Sequence, residues 1–286
     1  MIKFLLISLL CIFPQIITAH TKLSDWALEA ESKESKVSLT SDGSIDIIAP
    51  KGLTLWYKRQ MQGNVIIEYD AQIVVEEHNN NTWNRLSDLN CFWQATDPKQ
   101  KDGSVLRGIP KRKGIFANQY ALSLYYMGYG GNYNSTTRFR RYNGNENGVK
   151  DPSFRPAILR EYTDPGHILK PNHWYHIRLE QHFGHVRYII DGECIVDYLD
   201  IRPFYRGFFG FRTTLAHAQI RNFIYSETPV SGTPVSLYWV GRKPNSSASP
   251  QTFGIPFLQG EVLPSQSILL QTDNGKQIPN DSWTLA

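Results

Sequence analysis

From residue 64 to 76 the chain alternates strictly. Val65, Ile67, Tyr69, Ala71, Ile73 and Val75 form one set, and the positions between them include Glu68, Asp70 and Gln72. A period of two is that of a β-strand, and one apolar face beside one polar face belongs to an antiparallel sheet that covers a core on one side. Shorter runs of the same type fall at 36–40, 44–49, 53–58 and 88–96. In the last of these, Leu89, Cys91, Trp93 and Ala95 oppose Asp88, Asn90, Phe92 and Gln94. Two further runs flank Gly130-Gly131 in the stretch 121–142, predicting a hairpin.

Downstream, 172–181 and 186–198 predict three strands, with a turn at Gly184 and an Asp191-Gly192 hairpin turn. Residues 207–213 and 218–225 complete the set. The segments 78–84, 99–113 and 145–171 read as loops, the second a basic, solvated excursion. No amphipathic helix of ordinary length is predicted between residues 36 and 226. Many short strands separated by regular turns predict an all-β antiparallel sandwich. Beyond a linker at 228–234, strand-like runs at 235–240, 253–257 and 267–272 predict a small second β unit spanning 235–286. The sandwich itself is expected to occupy 20–227.

Composition sharpens this picture. Aromatic residues make up 13% of the chain, with 15 tyrosines, a bias that suits pleated sheets. Hydrophobic residues at 41% and charged residues at 20% indicate a globular protein. A net charge of +4, dispersed along the chain, gives no argument for a nucleic-acid partner. Residues 1–19 have the form of a secretory signal: Lys3, an apolar run from Phe4 to Ile17, and Thr18-Ala19 before His20. That run is too short for a membrane span, so a periplasmic or extracellular (secreted) protein is expected. Export leaves Cys91 and Cys194, either bonded to each other or free in the core. No Cys/His spacing suggests a metal site.

The order Trp174-Tyr175-His176-Ile177-Arg178-Leu179-Glu180, Tyr188-Ile189-Ile190-Asp191-Gly192-Glu193 and Gly207-Phe208-Phe209-Gly210-Phe211-Arg212 resembles the terminal strands of concanavalin/galectin-like jelly rolls. More narrowly, the segments at 55–59, 87–93, 125–134 and 137–142 resemble the YesU-like family, a galectin-like sandwich found in pectin-degradation settings. The tail, at 253–262 and 269–279, resembles the opening of the N-terminal barrel of exo-rhamnogalacturonan-lyase-like proteins. These resemblances imply a jelly-roll sandwich with a short C-terminal β extension, one module of a longer polysaccharide-degrading architecture. They also imply a polysaccharide or oligosaccharide partner. No cofactor is expected, although calcium is common in the fold class.

Three chemistries fit the residues. A retaining glycosidase needs paired carboxylates, and Glu68 and Asp70 share a strand face, though Ile73 stands where a third acid is familiar in sandwich glucanases. A lyase needs a group that neutralises a uronate carboxylate and a Tyr or His that moves a proton. Asn90, Gln94, Arg138 and Arg140 are candidates for the first role, and Tyr125, Tyr133 and His217 for the second. A lectin-like module needs only rings and hydrogen-bonding groups: Trp93, Tyr126 or Tyr133 for stacking on sugar rings, and Asn90, Asn132, Asn134 and the arginines for hydroxyls or carboxylates, although the phase of Trp93 opposite Asn90 favours the core. The expected arrangement sets the 121–142 hairpin between the Glu68/Asp70 strand and the Asn90/Gln94 strand. All would then share one sheet face, with residues 128–134 as the rim of a groove. The function expected is binding, with or without cleavage by lyase or glycoside hydrolase chemistry, of an acidic polysaccharide such as rhamnogalacturonan.

Overall fold

A computed structural model describes residues 22–182 and 184–228 in full and the backbone of three short strands outside them. The strands in chain order are β1 (Gln15–Thr18), β2 (Trp26–Ala30), β3 (Lys36–Leu39), β4 (Ile45–Ala49), β5 (Leu53–Tyr57), β6 (Met61–Gln62), β7 (Asn64–Val74) and β8 (Leu89–Thr96). They continue with β9 (Ser123–Gly130), β10 (Thr136–Asn143), β11 (Ile158–Tyr162), β12 (Tyr175–His182), β13 (His185–Ile190), β14 (Glu193–Leu199), β15 (Arg206–Thr213) and β16 (Ala216–Thr228). Two more, β17 (Leu270–Gln271) and β18 (Gln277–Ile278), pair antiparallel. The expected linker at 228–234, apart from Thr228 at the end of β16, and nearly all of the unit at 235–286 lie outside the described residues. So do residues 1–14 and 19–21.

Two antiparallel sheets stack as a jelly-roll sandwich. The front sheet has the order β11-β10-β9-β8-β15-β5-β2, with β6 against β15. The back sheet runs β14-β13-β12-β7-β16-β4-β3, with β1 against β16. The alternation of β7 does what its period requires. Val65, Ile67, Tyr69, Ala71 and Ile73 are all buried between the sheets, and their neighbours face out. From the front sheet, Leu89, Cys91, Trp93, Tyr125, Met127, Tyr129, Phe139, Phe209 and Phe211 meet them. Truncating one such ring to alanine is expected to cost about 3–5 kcal/mol. Between β13 and β14, Asp191 (φ 49°) and Gly192 (φ 84°) give the two positive φ values that a tight hairpin turn needs.

A second apolar cluster lies on the outer side of the front sheet. Trp56, Phe92, Tyr126, Tyr142 and Phe208 pack there under Val105, Tyr120 and Leu122. The 99–113 segment is therefore not the solvated excursion its basic residues suggest, since Val105 and Arg112 are buried. Arg112 donates to Glu29 at 2.8 Å, and Glu29 also accepts from Trp56 Nε1 (2.9 Å) and Gln119 (2.7 Å). Glu29 is fully buried, and these donors replace the water that its carboxylate gives up on burial. Two further strands, β2 and β11, are not among those expected; both are short edge strands within segments that look polar.

Cys91 is buried in the core and Cys194 is exposed; both are free thiols. Burial pushes the Cys91 thiol up to about 12, the response of a small apolar core residue. Among the described residues, no helix is long and apolar enough to cross a membrane.

Candidate functional site

Register across the front sheet aligns the outward side chains in rungs. One rung reads Trp56–Gly210–Phe92–Tyr126–Arg140 across β5, β15, β8, β9 and β10. Its apolar part lies under the second cluster. The adjacent rung reads Thr54–Arg212–Asn90–Gly128–Arg138–Glu161, ending on β11. This second rung is not covered, and it forms the floor of a cleft of about 280 Å³. Phe116 and Tyr120 line it as well, with Glu31, Asp88, Asn132 and Thr136 among the other lining residues. Such a volume matches the lower end of small-ligand pockets, about 300 Å³.

Glycine shapes the floor. A Cβ on Gly128 would lie 2.5 Å from the Tyr126 hydroxyl, so the missing side chain is what lets that phenol lean into the cleft. Tyr126 is fixed by Phe92 (5.4 Å), Phe116 (5.6 Å) and Tyr142 (5.7 Å) around its ring. Burial, and after it Asp88, pushes its pKa well above the usual phenol range, against the pull of Arg212 and Arg140.

The cations are unevenly paired. Arg138 is held by Glu161 across the β10–β11 pairing. Arg140 donates to the Pro156 carbonyl, and Arg212 to Thr54 Oγ1 and the Gly114 carbonyl, both at 3.1 Å. Among the described residues, neither Arg140 nor Arg212 has a carboxylate partner. Arg212 is only 2% exposed, and burial pulls its pKa down although Tyr126, Glu29 and Asp88 favour the charged form. Asn90 donates to Asp88 Oδ1 at 3.1 Å, while its own Oδ1 is buried without a partner. A buried charge and a buried carbonyl, both unmatched, are costly to leave in a folded protein, and here both line one cleft.

A family model described as "Domain of unknown function (DUF6250)" matches residues 47–223, more than half of the chain. The chain belongs to the DUF6250 family. Residues 233–286 of this DUF6250 chain match a second model, described as the PcRGLX-like N-terminal RIFT barrel domain. No curated protein matches the sequence. Among solved structures, a protein of unknown function with galectin-like fold from Bacillus subtilis is 16% identical, with a TM-score of 0.52, over 76% of this chain and 96% of that one. That likeness shows the fold. Also similar are the carbohydrate binding module CBM66 from Bacillus subtilis (14% identical, TM-score 0.46, 71% and 96% covered) and the Ca2+/Man3GlcNAc-bound exoplasmic/lumenal domain of VIP36 (14%, 0.47, 74% and 88%).

Within the DUF6250 sandwich, Asn90, Asn132, Arg138 and Arg140 line the cleft. Gln94 sits at a bulge of β8 with φ 49°, buried, its amide 3.4 Å from the Gly63 carbonyl. Asn134 is spent on Leu169, donating to its carbonyl (2.9 Å) and accepting from its N–H (2.7 Å). Tyr125 points the other way, into the core, where its hydroxyl donates to Asp200 at 2.7 Å. Tyr133 stands at the tip of the β9–β10 loop, 75% exposed.

The expected single face is not formed. Glu68 and Asp70 are on β7, in the back sheet, with the whole core between them and the cleft. Glu68 pairs with Arg178, and Asp70 with His176 (2.9 Å) and Arg221 (3.4 Å). His217 lies on the same back face, bonded to Asp46 at 2.7 Å, with its ring 5.9 Å from that of Trp83. None of the three reaches the arginines of the cleft. Arg212, by contrast, belongs to the site although its motif reads only as a closing strand; the alternation Phe208-Gly210-Arg212 is the signal that puts it on the outer face. Among the described residues, no group of three or more His, Cys, Asp or Glu side chains is placed to hold a metal ion.

Proposed function

We propose that this exported chain binds an acidic polysaccharide or oligosaccharide, of the rhamnogalacturonan type, in the front-sheet cleft. One observation carries the reading: among the described residues Arg212 and Arg140 line the cleft without an ion-pair partner, while of the carboxylates that line it Asp88 is held by Arg85 and Ser87 and Glu31 accepts from the Gly52 N–H. A uronate carboxylate supplies the missing partner, in the planar, two-pronged geometry that guanidinium favours. The unpartnered Asn90 Oδ1 accepts from a sugar hydroxyl, and Phe116 and Tyr120 offer the rings that sugars lie against. The match of residues 233–286 to the PcRGLX-like barrel supports the same setting, in line with the likeness of the tail to exo-rhamnogalacturonan-lyase-like proteins. The YesU-like segments support a pectin context, and residues 1–19 support export.

Cleavage by β-elimination is a second reading, favoured by the Tyr126 phenol beside two arginines. Its raised pKa suits a proton donor to a leaving oxygen and makes it a poor base at neutral pH. Hydrolysis by a carboxylate pair has less support, because Asp88 is already held by Arg85 and Ser87. Binding is accordingly the conclusion. Calorimetric titration of a panel of acidic and neutral polysaccharides, with ultraviolet absorbance recorded for unsaturated uronates, tests it. Binding of an acidic member without new absorbance is the expected result; new absorbance establishes elimination; no binding to any acidic member overturns the reading.

A further inference from the structure

The loop joining β9 to β10 holds three consecutive non-glycine residues in the left-handed region: Asn132 (φ 51°), Tyr133 (φ 59°) and Asn134 (φ 57°). Asparagine tolerates this conformation through its short amide, but an aromatic residue there is strained and persists only where its surroundings impose it. The surroundings do so here. Asn134 clamps both backbone groups of Leu169, and Ser135 Oγ donates to the Asn132 carbonyl (2.6 Å) while accepting from its side-chain amide (3.0 Å). Two left-handed asparagines thus fix a tyrosine whose side chain is 75% exposed.

That tyrosine is also tied to the cleft. The Arg85 guanidinium lies over one face of the Tyr133 ring, 4.6 Å from its centre. Arg85 itself donates to Asp88 (2.8 Å) and to the Thr214 carbonyl (3.1 Å), and Asp88, Thr214 and Asn132 all line the cleft. The ring therefore stands beside the lining of the cleft, next in the chain to Asn132, with a cation over one face and most of its surface exposed. Among the described residues Arg85 is its one partner.

We propose that Tyr133 is a stacking platform that extends the cleft by a further sugar ring, so that the site selects an oligosaccharide over a single uronate. This rests on the acidic-carbohydrate reading above. A cation over one face of a ring that is mostly exposed leaves the other face for a C–H-rich sugar surface, and only a chain longer than the cleft reaches it.

The test is calorimetric titration of oligogalacturonates of one to six residues with wild type, Tyr133→Ala, Tyr133→Phe, Tyr133→Gly and Arg140→Ala. Wild-type affinity is expected to rise with length. Tyr133→Ala removes that rise, weakening binding of long oligomers about 3–10-fold and leaving the shortest unchanged. Tyr133→Phe keeps it, which separates stacking from any use of the hydroxyl. Tyr133→Gly loses the rise yet melts at a higher temperature, because glycine relieves the left-handed strain. Length-independent loss in Tyr133→Ala, or no loss, overturns the platform while an Arg140-dependent affinity keeps the parent reading intact. Binding that ignores Arg140→Ala overturns that parent reading and the platform with it.

Discussion

Replacing Arg212 by methionine separates a binding arginine from a structural one. The side chain is 2% exposed, donates to Thr54 Oγ1 and the Gly114 carbonyl at 3.1 Å each, and lies 5.0 Å from the centre of the Phe116 ring. Those two charge-assisted hydrogen bonds carry about 1.5–3 kcal/mol each, and the cation–π contact about 1–2 kcal/mol. Against this stands the desolvation of an unpaired buried cation, several kcal/mol. Methionine keeps the apolar stem, removes the charge and leaves the Gly114 carbonyl without this donor. The opposing effects nearly cancel, so the variant is expected to lie within about 2 kcal/mol of wild type in stability. Binding has no such offset, because the carboxylate of an acidic oligosaccharide loses its buried partner. A desolvated, hydrogen-bonded charge pair is worth about 2–4 kcal/mol, which weakens affinity roughly 30- to 1,000-fold. Thermal denaturation reads the first quantity and calorimetric titration with an oligogalacturonate the second. A loss of stability above about 4 kcal/mol with unchanged affinity would refute the reasoning and make Arg212 a pin for Gly114 and Thr54.

Two other perturbations follow from the same geometry. Gly128→Ala drives a methyl group to within 2.5 Å of the Tyr126 hydroxyl, and the packed ring has little room to yield; a loss of about 1–3 kcal/mol and weaker glycan binding are expected, and an unchanged melting temperature and affinity would count against the close fit. On the back sheet, burial works to raise the Asp70 carboxyl, but hydrogen bonds from His176, Asn222 and Arg221 outweigh it and hold the pKa below the usual value. A depressed carboxylate contributes stability above its unfolded pKa of about 3.9 that disappears as pH falls through the lower folded value. The stability difference between wild type and Asp70→Asn should therefore be full above about pH 5 and close progressively in acid; a difference independent of pH would contradict the linkage.

Period alone sufficed where one face was apolar and the other polar, as in β7, and turn chemistry sufficed at Asp191-Gly192. It failed where both faces are covered. In β9 every residue from Leu124 to Gly130 is buried, because the second apolar cluster lies on the outer side of the strand that the core packs from within. Adjacent tyrosines then look alike. Tyr125 takes the core phase and Tyr126 the cleft phase, and nothing in a run without polar alternation distinguishes them. The edge strands β2 and β11 are short, and their pattern is masked by the acidic and loop-forming residues around them. Neighbourhood in the chain also misleads about neighbourhood in a sandwich. β7 and β8 are consecutive long strands, yet β7 joins the back sheet and β8 the front, so Glu68 and Asn90 face opposite sides of the molecule.

Register, which periodicity does not supply, is what distinguishes the two outer faces. On the back sheet, charges stand opposite countercharges. Arg178 is the cross-strand partner of Glu68, His176 of Asp70, and Arg187 of Asp197. Exposed pairs of this kind are worth only about 0.2–1 kcal/mol each, but in each of the three the charged groups already have a partner within the protein. On the front sheet, Arg212 stands between Thr54 and Asn90, and Arg140 between Tyr126 and Ile158. No carboxylate lies across from either. Shifting one strand by two residues would keep every side chain on its face and still change which charges meet. Arg212 and Arg140 therefore lack a cross-strand carboxylate because of how β5, β8, β9, β10, β11 and β15 align, and the acidic ligand proposed above would complete the pairing that the sheet leaves open.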